Sequence, residues 1–150
     1  MILDERTEFA DGVSIAAFTA LGGDQLVGDV IDLEQSGLDI GNGQPIYLMI
    51  QVDTAVAGTS STVEFKLASD AAAAIATDGS ATVHYASGAI AEATLVAGYQ
   101  IGPIALPQGT YERYLGIQAD VGAANLSAGV VSAFLTLDPH GNTALPDAVN

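Results

Sequence analysis

Apolar and polar residues alternate with a period of two along much of this chain, and this pattern most constrains the fold. In segment 45–53, one set of alternate residues is apolar and predicted to face a core: Ile46, Leu48, Ile50 and Val52. The residues between them, Met49 among them, are predicted to face outward. Successive side chains of a β-strand point to opposite faces, so the alternation indicates a strand with one buried face.

Three further segments, 62–67, 111–121 and 130–138, show the same alternation. They predict these inward residues: Val63, Phe65, Leu67, Leu115, Ile117, Ala119, Val121, Val131, Ala133, Leu135 and Leu137. Gln118 lies in the opposite set and is predicted to face outward. Weaker strands are predicted at 25–33, 81–85, 90–96 and 99–106. About eight short strands separated by Gly, Asn and Pro turns are typical of an antiparallel β-sandwich or barrel.

One segment favours a helix instead. Ser69 and Asp70 precede Ala71–Ala74, and a capping residue before strong helix formers predicts a short helical turn at 69–76. We expect at most this one helical turn.

Length and composition indicate one domain covering residues 1–150. The chain is 49% apolar, and a chain of about 150 residues can bury a single core. Residues 1–24 and 139–150 mix acidic or polar residues with apolar ones outside the clear alternation. They are candidate terminal arms.

The charge balance excludes two classes of partner. Eighteen Asp and Glu face three basic residues, which gives a formal charge of −15. Nucleic-acid phosphates and anionic membranes both require Lys and Arg clusters, and Arg6, Lys66 and Arg113 do not form one in the sequence. We therefore expect neither nucleic acid nor membrane as a partner.

The first residues carry neither a basic start nor an apolar run of signal-peptide length, so we expect synthesis and folding in the cytoplasm. The chain has no cysteine, which excludes disulfides and thiolate chemistry. Two long uncharged stretches, 93–111 and 121–137, are interrupted by Gly, Pro or polar residues and are not predicted to span a membrane.

Residues able to carry chemistry are few. His84 and His140 are the two histidines, no catalytic motif surrounds them, and His84 is predicted to face solvent from a strand. Asp29, Asp32 and Glu34 lie close together but do not have the spacing of a calcium loop, so they are interpreted as solvated surface acids. We predict no catalytic residue, no metal ligand and no cofactor.

A resemblance to a known family rests on short segments distributed along almost the whole chain. These segments are Met1-Ile2-Leu3-Asp4, Leu38-Asp39-Ile40-Gly41, Pro45-Ile46-Tyr47-Leu48, Gln51-Val52-Asp53-Thr54-Ala55, Ser87-Gly88-Ala89-Ile90, Ala93-Thr94-Leu95-Val96-Ala97-Gly98-Tyr99, Leu106-Pro107, Arg113-Tyr114-Leu115 and Leu135-Thr136-Leu137-Asp138. With these segments the chain resembles the capsid cement, or decoration, proteins of short-tailed double-stranded DNA phages. The resemblance implies a jelly-roll-like antiparallel β-sandwich without catalytic residues.

The same resemblance implies a structural role on the virion. Cement proteins sit as oligomers on the outer capsid surface, at junctions between shell subunits, so the expected partners are the major capsid protein and further copies of this chain. We expect a homotrimer, with a dimer as the second choice. The mixed apolar and acidic N-terminal segment is predicted to contact the capsid through Ile2, Leu3, Phe9, Ile15 and Phe18.

Two other functions are compatible with the residues. A glycan-binding module for host-surface adsorption could use stacked tyrosines, for which the candidates are Tyr47, Tyr85, Tyr99, Tyr111 and Tyr114. A small hydrolase would need paired carboxylates, for which the candidates are Asp29, Asp32 and Glu34.

Overall fold

The computed structural model describes residues 5–40 and 42–139, and over these ranges the chain is an all-β protein. Its strands are β1 (Glu8–Ser14), β2 (Asp24–Asp32), β3 (Tyr47–Ala57), β4 (Thr62–Asp70), β5 (Thr82–Ala86), β6 (Ile90–Ala91), β7 (Gln100–Ala105), β8 (Tyr114–Gly122) and β9 (Ala128–Thr136). In the described ranges the helical elements are two 3-10 turns, Glu5–Thr7 and Glu92–Thr94. None of the described helices is long and apolar enough to cross a bilayer. The prediction of an antiparallel β-sandwich is confirmed.

The strands pair in a nested order that defines a jelly roll. β1 pairs with β9, β2 with β8, β3 with β7 and β4 with β5, all antiparallel. The chain is thus one long hairpin rolled up, so that β9 also meets β3 and β8 meets β4. The result is two packed sheets, β1-β9-β3-β7 (sheet A) and β2-β8-β4-β5 with β6 beside β4 (sheet B).

The main core lies between the two sheets. The inward residues predicted for β4 and β8 are all buried, as are Leu48, Ile50 and Val52 of β3. Alternation therefore placed these strands correctly, because each has one face against the opposite sheet. Ile46 and Leu135, also predicted to face inward, are only half-buried against this core. Leu137 follows the end of β9 and is 60% exposed.

Three residues on faces predicted to point outward are buried: Gln118, Met49 and Thr136. The predictions for Gln118 and Met49 were wrong for a tertiary reason. Gln118 is covered by the loop between β4 and β5, where its Nε2 donates to the Ala76 carbonyl at 2.8 Å and Ile75 packs over the outer face of sheet B. Met49 of β3 pairs with Phe134 of β9 on sheet A, and the turn Glu5–Thr7 also contacts β9. A strand's sequence does not reveal that a loop covers its second face.

The predicted helical turn at 69–76 is not formed, since β4 continues through Asp70. The Asp70 carboxylate instead accepts hydrogen bonds from the backbone N–H groups of Ala72 at 3.1 Å and Ala76 at 2.9 Å. It stabilises a non-helical loop, which then carries Ile75 onto sheet B. The strand predicted at 90–96 also shortens, to β6 followed by the turn Glu92–Thr94.

Candidate functional site

The predicted capsid-contact residues occupy different environments. Phe9 and Ile15 are fully buried in the main core, and Phe18 is half-buried against it. Ile2 and Leu3 lie outside the described residues. Capsid contact by the N-terminal segment stays a prediction. The exposed residues of β1 are Asp11, Gly12 and Ser14, and only these could make such a contact from β1 without further exposure of the core.

β1 is an irregular strand at the edge of sheet A. Its pairing with β9 shifts register twice, between Glu8 and Ala10 and again between Ala10 and Val13. These bulges place Phe9 and Ala10 both in buried positions and turn Asp11 outward. They also explain why no strand was predicted there: the bulges interrupt the period of two.

β2 is an edge strand of sheet B and is bulged as well. Its register with β8 shifts between Val27 and Val30, and Gly28 in this bulge adopts a positive φ of 70°. A Cβ on Gly28 would collide with the Phe9 carbonyl oxygen and would lie 3.1 Å from the Ala10 Cα. The two sheets therefore approach at Gly28, and the exposed Asp29 follows directly.

A groove of about 850 Å³ lies between these two edge strands. Both strands and the turn Glu5–Thr7 contribute to it, and its lining comprises Glu5, Arg6, Glu8, Phe9, Ala10, Asp11, Val13, Asp29, Val30, Ile31, Asp32 and Glu34. We call it the β1–β2 groove. Its lining combines apolar side chains with six carboxylates and one guanidinium.

The carboxylates of the groove differ in whether a cationic side chain neutralises their charge. Asp32 accepts two hydrogen bonds of 2.8 Å from Arg113, and this bidentate pair lowers the pKa of Asp32. Glu8, Asp11 and Asp29 have no ion-pair partner among the described residues. Burial raises the pKa of Glu8, and the negative charges of Asp11 and Glu5 raise it further. The groove therefore has an excess of negative charge, to which Glu8, Asp11 and Asp29 contribute.

The clustered acids considered for calcium or hydrolysis, Asp29, Asp32 and Glu34, do come together on this groove. In the described ranges, however, no group of three or more His, Asp or Glu side chains is arranged to hold a metal ion. Asp32 is engaged with Arg113, which leaves its carboxylate committed to a structural ion pair.

His84 does not face solvent freely, contrary to the prediction. Its ring stacks on Tyr111 with centroids 3.9 Å apart, and its Nε2 shares a 2.7 Å hydrogen bond with Ser69 Oγ. The same Ser69 oxygen accepts the Glu112 backbone N–H at 3.1 Å. Ser69, His84 and Glu112 thereby join β4, β5 and the segment before β8. Because Ser69 is fully buried, its hydroxyl is not exposed. His140 lies outside the described residues.

The environment of His84 predicts a stability change between pH 7.5 and 5.5. Burial lowers the pKa of His84, although the charge of Glu112 acts in the opposite direction. The unfolded chain therefore binds a proton first as the pH falls through about 6.5, and unfolding becomes easier below that value. Chemical denaturation of wild type and His84→Gln at both pH values would measure this, and we expect the decrease to be smaller in the variant. An equal decrease in both proteins would contradict the assignment to His84.

The five tyrosines do not form one stacking platform. Tyr111 is buried in the core, with its hydroxyl donating to the Pro107 carbonyl at 2.6 Å. Tyr85 and Tyr99 pack against the same core, whereas Tyr114 belongs to the outer cluster of sheet B beside Arg113. Tyr47 is half-buried on β3. Packing, the use favoured by their alternation with apolar residues, is what the structure shows for most of them.

The nested strand pairing places the protein in the class of jelly-roll β-sandwiches. Within that class, a family model described as Bbp16 matches residues 9–135, almost the entire span from β1 to β9. The chain belongs to the Bbp16 family, which is a phage-associated family. No curated protein matches the chain.

Proposed function

We propose that this protein is a non-enzymatic capsid cement protein of a phage. The observation that carries the proposal is that the match to a phage-associated family spans the jelly roll itself. Most of the segments that resemble cement proteins lie within the same span and support the same role. After synthesis in the host cytoplasm, the protein would bind the outer surface of the head and bridge subunits of the major capsid protein.

The physical properties of the chain suit this role. A protein that binds assembled shells, and not dispersed subunits, stabilises the assembly, and the stabilisation grows with its affinity and concentration. Many copies on symmetric junctions gain further from multivalent attachment, which favours an oligomer. We propose a homotrimer, with a dimer as the second choice. The formal charge of −15 suits an external position, away from packaged DNA.

Particles lacking this protein provide the test. We expect heads without it to release DNA at a lower temperature and to survive osmotic shock less often, because the bridges between shell subunits are missing. Adding back the purified protein should restore both properties, and light scattering of the purified protein gives its oligomeric state. Deficient and complete particles of equal tolerance would contradict the proposal.

A further inference from the structure

Resting on the proposed capsid role, we propose that the β1–β2 groove binds a basic, extended segment of the major capsid protein. The groove supplies a shape, a set of apolar contacts and a charge, and each limits the occupant.

The shape favours an extended chain. β1 and β2 are edge strands of different sheets, and within the described ranges each pairs with only one neighbouring strand. The lining residues of β1 lie between Glu8 and Val13 and those of β2 between Asp29 and Asp32, stretches that correspond to roughly 10–20 Å of strand. Unpaired edges offer backbone donors and acceptors to an added segment.

The apolar part of the groove suits long basic side chains. Val13, Val30 and Ile31 are only half-buried and line the groove between the acids. Lys and Arg carry aliphatic stems that pack on such surface while their charged ends reach outward.

The charge of the groove lining, six carboxylates against the guanidinium of Arg6, favours cations. The carboxylates of Glu8, Asp11 and Asp29 share one groove without ion-pair partners in the described part of the chain. Their mutual repulsion disfavours the free protein and is relieved when guanidinium or ammonium groups enter. Arginine adds bidentate hydrogen bonds to carboxylates, which fix the position of the bound segment.

Edge protection is the competing explanation for the same acids. Natural sheets often carry charges and bulges on edge strands to prevent pairing with other molecules. If that were their whole role, removing the charges would cause self-association and leave shell binding unchanged. The two explanations therefore predict different results for one variant.

The test compares two doubly substituted proteins that lose equal charge. The groove variant carries Asp11→Asn and Asp29→Asn. The control carries Asp39→Asn and Asp78→Asn, which remove two charges outside the groove and keep an amide oxygen to accept the hydrogen bonds from Gly109 and Ser80. Circular dichroism and urea unfolding establish that both variants fold.

Binding to cement-free shells is then measured at low and high salt. We expect the groove variant to bind about tenfold more weakly than wild type at low salt, because two exposed charge pairs of about 0.7 kcal/mol each are lost. The difference should shrink at high salt, and the control should bind like wild type. A groove variant that binds like wild type would overturn the inference, as would one that only gains self-association.

A second measurement separates this inference from the proposed function. A short peptide alternating arginine and threonine is titrated into isotopically labelled protein and followed by NMR. Shifts confined to β1 and β2 that disappear in the groove variant support a site for basic segments, even if wild type binds no shells and the cement function fails. Absence of such shifts in wild type overturns the inference even if shells are bound.

Discussion

Replacing Phe9 with alanine is expected to lower the free energy of unfolding by about 3–5 kcal/mol, the range for removing a buried aromatic side chain. Phe9 is 1% exposed and belongs to the core between the sheets. Its position on β1 means that the loss also weakens the attachment of that edge strand. Urea unfolding of both proteins, monitored by circular dichroism, measures the change.

Leu21→Ala is the matched control for Phe9→Ala. Leu21 lies in the same N-terminal part of the chain but is 99% exposed, so its removal should change the free energy of unfolding by less than about 0.5 kcal/mol. A Phe9→Ala protein as stable as Leu21→Ala would show that Phe9 is not a core residue. In that case its predicted role in capsid contact would gain support.

Gly28→Ala is expected to destabilise the protein by about 2–5 kcal/mol. Two costs add: the left-handed backbone at φ 70°, worth about 1–2 kcal/mol for a residue with a Cβ, and overpacking, worth about 1–3 kcal/mol. The overpacking arises because the new Cβ would collide with the Phe9 carbonyl oxygen, which belongs to backbone and cannot rotate away. The midpoint of urea unfolding would report the loss.

Gly37→Ala isolates the steric part of this effect. Gly37 has a similar φ of 82°, but a Cβ there would meet nothing within 4 Å. It should therefore cost only the backbone term of about 1–2 kcal/mol. Equal losses in the two variants would mean that β1 and β2 can separate at Gly28 without penalty, contrary to the close approach of the two sheets.

The regular strands were the predictable part of this fold. β4 and β8 lie near the middle of sheet B, and each has one face against sheet A, so hydrophobicity alternates along them as burial does. β1 was missed because its bulges put Phe9 and Ala10 in consecutive buried positions. Gly12 within that segment was the available signal, since a glycine inside a strand often marks a bulge.

The candidate site was predictable only in part. The sequence indicated that Asp29, Asp32 and Glu34 lie close together, because they are neighbours along one strand and its end. It did not indicate that Glu8 and Asp11 from another strand face the same groove. That proximity depends on the approach of two sheets at Gly28, which joins segments with no local relationship.

The sequence by itself determined the class of structure and the sign of the surface: alternation requires half-buried strands, and eighteen acids against three bases require a negative exterior. Only the tertiary structure decided which second faces are covered, as for Gln118 and Met49, and which acids share a groove. The physical reason is that alternation and charge are properties of a strand and its neighbours along the chain. Which strand faces are covered and which acids lie together depends on contacts between residues far apart in sequence, such as Ala76 with Gln118.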